Sequence, residues 1–155
     1  INKYKNNRID EEDDVEIIYN KTMYIPTNYI ESPERRLFYY KKISLINNKK
    51  DYLNLIEELL DKFGPIPEEV QNLANISLLK IECKRIGIKK IIIKMSSIIM
   101  TCKGIEKMKE GQIKVENISN EPKHITQFLE KKKDIKDILK SDYEIKDGEF
   151  IIINK

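Results

Sequence analysis

Apolar positions fall at helical spacing through the first half of the chain and at strand spacing through the second. Ser32-Pro33-Glu34 reads as a helix start, with Ser as N-cap, Pro in the first helical position and an acid in the first turn. The helix it opens is expected to run to about Ile46 and to present Leu37, Tyr40, Ile43 and Ser44. A second helix is expected from about Lys50 to Phe63, with Tyr52, Ile56, Leu59, Leu60 and Phe63 on one stripe. A third, from about Pro67 to Ile86, carries Val70, Leu73, Ala74, Ser77, Leu78 and Ile81, and Gly87 is its expected cap. Between the second and third lies Phe63-Gly64-Pro65-Ile66-Pro67, a helix stop fused to a helix start. Gly64 can take the left-handed conformation that caps a helix C-terminus, Pro65 cannot continue one, and Pro67 suits the first turn of the next. Glu68 and Glu69 follow, where negative charge complements a helix N-terminus. The corner is therefore expected to be rigid.

Beyond Gly87 the period changes. Ile88–Lys94 and Ser97–Cys102 are isoleucine-rich and read as strands, joined by Met95-Ser96 as a hairpin. Residues 103–112 read as a connection and Ile113–Glu116 as a further strand. Helices are expected from Asn120-Glu121-Pro122 to about Glu130 and around Asp134–Lys140. Asp147-Gly148 between two alternating runs signals a closing hairpin. Val15–Tyr19 alternates as a short strand, and Tyr24–Ile30 reads as a tethered loop in which Pro26 forces Ile25 to be extended. Residues 1–14, ending in Asp10-Glu11-Glu12-Asp13-Asp14, read as an acidic linker, leaving 15–155 as the folded domain. The fold class is α+β: N-terminal helices packed with a small mixed or antiparallel sheet.

Charge and composition narrow the chemistry. Residues 1–79 hold 11 basic and 14 acidic side chains, against 18 and 12 in residues 80–155. That asymmetry suits docking to a charged partner. The lysine-rich second half is also the basis of an alternative reading as a nucleic-acid-binding module, although its lysines are interleaved with acids. Phe38-Tyr39-Tyr40 among Arg35, Arg36, Lys41 and Lys42 has the composition of a base-stacking platform. Successive helical residues diverge by about 100°, however, so Tyr40 is expected in the core and its neighbours beside it. No apolar run approaches the roughly 20 residues that span a bilayer, and no membrane partner is expected. Cys83 and Cys102 stand far apart, which fits a reducing, cytoplasmic compartment. The Ile1 start points to a piece of a longer protein.

No phosphate-cradling glycine loop occurs, and His124 has no second histidine or paired cysteine to complete a metal or triad site. Paired carboxylates are the remaining route to a small hydrolase. The chain is read as non-catalytic, with no cofactor of its own. Glu58 and Asp61, three apart on the second helix, are expected to share an outward face beside the corner. They are either a docking point for arginines or ordinary surface acids.

Several of these segments, in this order, resemble the C-terminal domain of the bacterial transcription-repair coupling factors (Mfd). They are Tyr24-Ile25-Pro26 with Tyr29-Ile30, Arg36 to Ile43, Glu58 to Pro67 with Val70 and Leu73, and Arg85 to Ile91. The resemblance covers roughly Val15 to Ile93. It implies a regulatory domain of a large, cytoplasmic, ATP-driven translocase of double-stranded DNA, whose motor, with its ATP and Mg, lies upstream. It further implies docking on a UvrB-like N-terminal module, which hides the surface that binds UvrA and restrains a motor acting on stalled RNA polymerase. In such proteins, acids matched here by Glu58 and Asp61 pair with arginines of that module, and residues 1–14 match the tether from the motor.

Overall fold

A computed structural model describes residues 14–102 and 111–154. Most of the expected acidic linker (1–13) and of the expected connection (103–110) therefore lies outside the described residues. The chain divides into two compact units, one of Asn20–Ile81 and one of Ile1–Tyr19 with Glu82–Lys155.

The Asn20–Ile81 unit is helical. Helix α1 (Pro33–Ser44) starts as its sequence requires, with the Ser32 hydroxyl accepting from the Arg35 N–H at 3.3 Å. Helix α2 (Lys49–Phe63) is capped by Asn48, whose side chain accepts from the Asp51 N–H at 2.8 Å. Helix α3 (Glu68–Ile86) starts one residue after Pro67, whose carbonyl accepts from the N–H groups of Val70 and Gln71. Ile25, Ile30, Tyr39, Ile43, Ile46, Leu55, Leu59 and Val70 form the buried core, with Tyr29, Tyr52, Phe63 and Ile66 packed against it. Each fully buried aliphatic side chain contributes about 1.5–3 kcal/mol here.

The buried stripes of α1 and α2 differ from those expected. On α1 the core positions are Tyr39 and Ile43, while Leu37 is 65% exposed and Tyr40 lies at the surface. Residues 37 to 40 are all apolar or aromatic, so two helical stripes fit the sequence equally well. Tyr39 takes the core place because its hydroxyl finds a carboxylate there and its ring finds Phe63. Tyr40 instead accepts the Ile25 N–H at 2.7 Å, which ties the 24–30 loop to α1. On α2 the buried positions are Leu55 and Leu59, and Leu60 is 49% exposed.

Helix α3 is apolar on most sides and correspondingly buried, with Val70, Ala74, Leu79 and Cys83 all fully enclosed. Two buried asparagines interrupt it. Asn75 accepts from the Tyr52 hydroxyl at 2.6 Å and from the Gln71 amide at 3.1 Å, and the Asn72 amide donates to the Thr22 carbonyl at 3.3 Å. Tyr52 also accepts from Gln71 at 2.8 Å, so a closed polar network joins α2 to α3. The last turn of α3, from Glu82, belongs to the other unit.

That unit is built on a six-stranded sheet of β1 (Glu16–Ile18), β2 (Ile88–Ile93), β3 (Ser97–Cys102), β4 (Gln112–Glu116), β5 (Tyr143–Lys146) and β6 (Glu149–Ile153). The order is β1-β2-β3-β4-β6-β5. The sheet is mixed, because β1 joins β2 and β4 joins β6 in parallel while the remaining pairs are antiparallel. Alternation sends Ile91, Ile93, Ile98, Met100, Ile113 and Val115 into the core. Met95-Ser96 closes the β2–β3 hairpin through a 2.9 Å bond from the Lys94 N–H to the Ser97 carbonyl. Asp147 and Gly148, at φ 52° and 79°, close the β5–β6 hairpin with the two positive torsions that a type I′ turn demands.

Helices α4 (Pro122–Glu130) and α5 (Ile135–Leu139) complete the unit, contributing the fully buried Ile125, Leu129 and Ile138. Arg85 caps α4: its guanidinium donates to the carbonyls of Leu129, Lys132 and Lys133 at 2.8–3.1 Å. Glu82 holds it there through two contacts at 2.6 and 2.8 Å. The guanidinium thus adds a charged donor to the Leu129 carbonyl, which also accepts from the Lys132 N–H, and ties down the two carbonyls of the chain just after the helix.

Candidate docking site

The corner at Gly64 is the rigid part of the site. Gly64 ends α2 at φ 84° and ψ −160°, and its N–H donates to the Leu60 carbonyl at 3.0 Å. The positive φ was expected, but the ψ was not. This is no left-handed cap; it is an extended conformation of positive φ that only glycine adopts readily. The Tyr29 hydroxyl braces the turn, donating to the carbonyls of Gly64 at 3.0 Å and Leu59 at 3.2 Å. Phe63 sits between the rings of Tyr29 and Tyr39, at centroid distances of 5.7 and 5.4 Å. Pro65 is exposed and Pro67 half-buried at the entry to α3.

Immediately before the corner, the two acids singled out in the sequence part company. Asp61 is exposed and its carboxylate forms no hydrogen bond or ion pair among the described residues. Glu58 does not share its surroundings: it turns toward α1, with 24% of its side chain exposed. Its Oε2 accepts from the Tyr39 hydroxyl and its Oε1 from the Lys42 ammonium, both at 2.5 Å, while Lys62 stands 3.7 Å from Oε2. Hydrogen bonds from Lys42 and Tyr39 hold the Glu58 carboxyl below the ordinary glutamate range. Burial, and then the same carboxylate, push the Tyr39 hydroxyl up to about 12. Asp61 lies in the last turn of α2, where the helix dipole disfavours an anion by about 0.3–1 kcal/mol.

Sequence reasoning missed Tyr39 and Lys42 as the partners of Glu58. The usable signal was their i, i+3 spacing on α1 together with the short connection to α2, which brings the two helices together as neighbours.

Other candidate chemistry resolves into structure. The aromatic run is no stacking platform, because Tyr39 is buried and Phe38 meets it edge-on at 5.1 Å. Lys42 lies 5.6 Å from the Phe38 ring centre. Cys83 and Cys102 are buried free thiols whose ionisation burial opposes. His124 contacts the Ser119 hydroxyl at 2.7 Å. Among the described residues no group of histidine, cysteine and carboxylate side chains is placed to hold a metal, and no helix is long and apolar enough to cross a membrane.

The model of the TRCF domain family matches residues 20–111, which takes in the whole helical unit, the corner and strands β2 and β3. The chain belongs to the TRCF domain family. Among the relatives of this TRCF domain is the transcription-repair-coupling factor of Borreliella burgdorferi, 34% identical over 96 residues that make up 62% of this chain and 8% of that protein. Others are the factors of Buchnera aphidicola, 34% identical over 77 residues, and of Myxococcus xanthus, 29% identical over 77 residues. The matched part spans no more than about a tenth of the length of these relatives. The fold is similar to a crystal structure of the C-terminal domain of a transcription-repair coupling factor, with a TM-score of 0.56 and 30% identity, covering 61% of this chain and 58% of that one. This TRCF domain is thus similar in sequence to a part of those factors, and in sequence and fold to the C-terminal domain of a transcription-repair coupling factor.

Proposed function

We propose that this TRCF domain is a non-catalytic regulatory domain of an ATP-dependent, double-stranded-DNA translocase that couples transcription to nucleotide excision repair in the cytoplasm. On this reading it docks on the UvrB-like N-terminal module of the same protein. The docked state masks the surface that binds UvrA and restrains the motor until it engages DNA and RNA polymerase. ATP and Mg belong to the motor and no cofactor to this chain. Residues 1–14 are the acidic tether and 15–155 the regulatory domain. The family match over residues 20–111 is the observation that carries the reading.

The physical requirement is a contact that holds yet releases. Tethering raises the effective concentration of the two partners to about millimolar, so an interface that is weak between separate molecules is largely occupied within one. A ligand that binds only the released arrangement then shifts the population by its differential affinity. A small number of charge-assisted hydrogen bonds, about 1.5–3 kcal/mol each, supplies an interface of that strength. Asp61 and the neighbouring Glu58 lie beside a corner that is fixed from three sides, which supports placing the contact there.

The test is a titration of this chain against the separately expressed UvrB-like module at low and high salt, with wild type and with Glu58→Lys/Asp61→Lys. Salt-sensitive binding abolished by the charge reversal is the expected result. Absence of binding at high protein concentration refutes the docking reading, and steeply salt-dependent binding to generic duplex DNA would replace it with the nucleic-acid one.

A further inference from the structure

Independently of the docking reading, we infer that strand β5 is an interaction edge whose occupant is the β5 of a second copy of this chain. The two strands run antiparallel with Ile145 opposite Ile145, which sets Glu144 of each copy opposite Lys146 of the other.

The sheet ends at β5, which is bonded only to β6. Lys146 and Glu149 flank the two-residue Asp147-Gly148 turn, so they exchange both of their main-chain bonds with each other. Alternation turns the main-chain groups of Glu144 toward β6 as well. Those of Tyr143 and Ile145 point the other way, to the open edge, and no described residue pairs them there. An edge with free donors and acceptors is a template for one more strand, and β5 has neither proline nor bulge to prevent it.

Tyr143 and Ile145 lie opposite Ile152 and Phe150, and Tyr143 stacks on the Phe150 ring at 4.2 Å. Ile152 and Phe150 are buried, yet Tyr143 is 53% and Ile145 70% exposed. The apolar face of the sheet thus runs out past its cover at this edge. On the other face Glu144 and Lys146 are exposed, and their charged groups make no ion pair among the described residues. β5 also lies beyond residues 20–111 that match the family, so the pairing rests on this chain's own sequence.

The order of these side chains selects the occupant. An antiparallel strand suited to Glu144-Ile145-Lys146 presents an acid to Lys146, an apolar residue to Ile145 and a base to Glu144. Read in its own direction that strand is acid, apolar, base, which is the order of β5 itself. β5 is therefore its own complement, the condition for an isologous two-fold contact. Sliding the copies until Glu144 faces Glu144 would oppose like charges, so charge fixes the register. In that register the two Ile145 residues exchange both main-chain bonds, their side chains meet, and Tyr143 lies within diagonal reach. The opposite edge of the sheet lacks this property, because Glu16-Ile17-Ile18 carries an acid and no base. A strand of four residues buries far less than the roughly 1,200 Å² of a stable complex, so the association is weak, with a dissociation constant of about 0.1–1 mM.

The test is sedimentation velocity of the chain from about 20 µM to about 1 mM, with urea unfolding by far-UV circular dichroism to show that each variant is folded. Wild type is expected to shift toward dimer across that range. Glu144→Lys sets like charges opposite one another at both pairs and is expected to weaken association about tenfold or more. Lys146→Glu, made together with Glu149→Lys to keep the facing hairpin pair complementary, is expected to do the same. The triple variant Glu144→Lys/Lys146→Glu/Glu149→Lys restores both intermolecular pairs in reversed order. It has the net charge of Glu144→Lys alone, and it is expected to dimerise within about threefold of wild type. Wild type that stays monomeric to about 1 mM overturns the inference and leaves the edge to a strand of another protein. Association that survives the reversals overturns it by placing the contact elsewhere, and a folded triple variant that does not recover rejects the register. The docking reading is tested separately, by titration with the UvrB-like module, and stands or falls on that result.

Discussion

Replacing Gly64 by alanine isolates the energy stored in the corner. A Cβ built at Gly64 meets nothing within 4 Å, so the substitution creates no clash with the rest of the protein. The penalty is torsional alone. At φ 84° and ψ −160° an L-residue lies in a region populated essentially by glycine, at a cost of about 1–3 kcal/mol. Alanine also restricts the unfolded chain, which returns about 0.4–1 kcal/mol. The expected net loss is therefore roughly 0–2.6 kcal/mol, about 1.3 kcal/mol at mid-range, read as a lower urea midpoint at unchanged slope. Gly64→Asn sharpens the test. Asparagine tolerates the left-handed helical region, where many helix caps lie, but not this extended one. It should be no better than alanine. A gain in stability in Gly64→Ala, or rescue by asparagine, would refute the assignment of the corner to a glycine-only conformation.

Other expectations follow from the same geometry. A double-mutant cycle of Tyr39→Phe with Glu58→Gln should give a coupling of about 1 kcal/mol or more in urea unfolding, since the phenyl ring keeps its contacts while the charge-assisted bond is lost; additivity within about 0.3 kcal/mol would refute that coupling. Because the folded-state carboxyl of Glu58 is depressed, its stabilisation is present above the ordinary value of 4.5 and should fade as pH falls below it, and Glu58→Gln should flatten that part of the profile. The Tyr39 hydroxyl is raised from 10.0 to about 12, so its contribution is complete below pH 10 and is lost between those values, a fall that Tyr39→Phe should abolish. Arg85→Met should destabilise the sheet unit by about 1 kcal/mol by removing three charge-assisted bonds to the Leu129, Lys132 and Lys133 carbonyls, and amide exchange at the end of α4 should accelerate selectively.

The functional reading gives the helical unit a particular design. Its rigid parts are internal: the Tyr29 brace, the Phe63 ring contacts and the Tyr52–Gln71–Asn75 network. Its outward surface at α2 carries exposed leucines and acids whose carboxylates are unpaired among the described residues. The proposed docking would need this division, because a docking face must keep its geometry while free and lose little entropy when it engages.

Local chemistry was enough to determine a good deal of this protein. Ser32-Pro33-Glu34 fixed the start of α1, Gly64 and Pro67 the corner, Gly87 the end of α3 and Asp147-Gly148 the closing turn, because caps and tight turns depend on a few neighbouring residues. Period alone separated the helical front from the strand-rich remainder. Pairing partners were not legible: nothing in Glu16-Ile17-Ile18 says that it joins Ile88–Ile93 in parallel across some 70 residues of chain. Nor could the sequence choose between Tyr39 and Tyr40, since two adjacent aromatics fit a helical stripe equally well and only the presence of Phe63 and Glu58 opposite decides. The same contact separated Glu58 from Asp61. Three residues apart on one helix they look alike, and what distinguishes them is which one a neighbouring helix reaches.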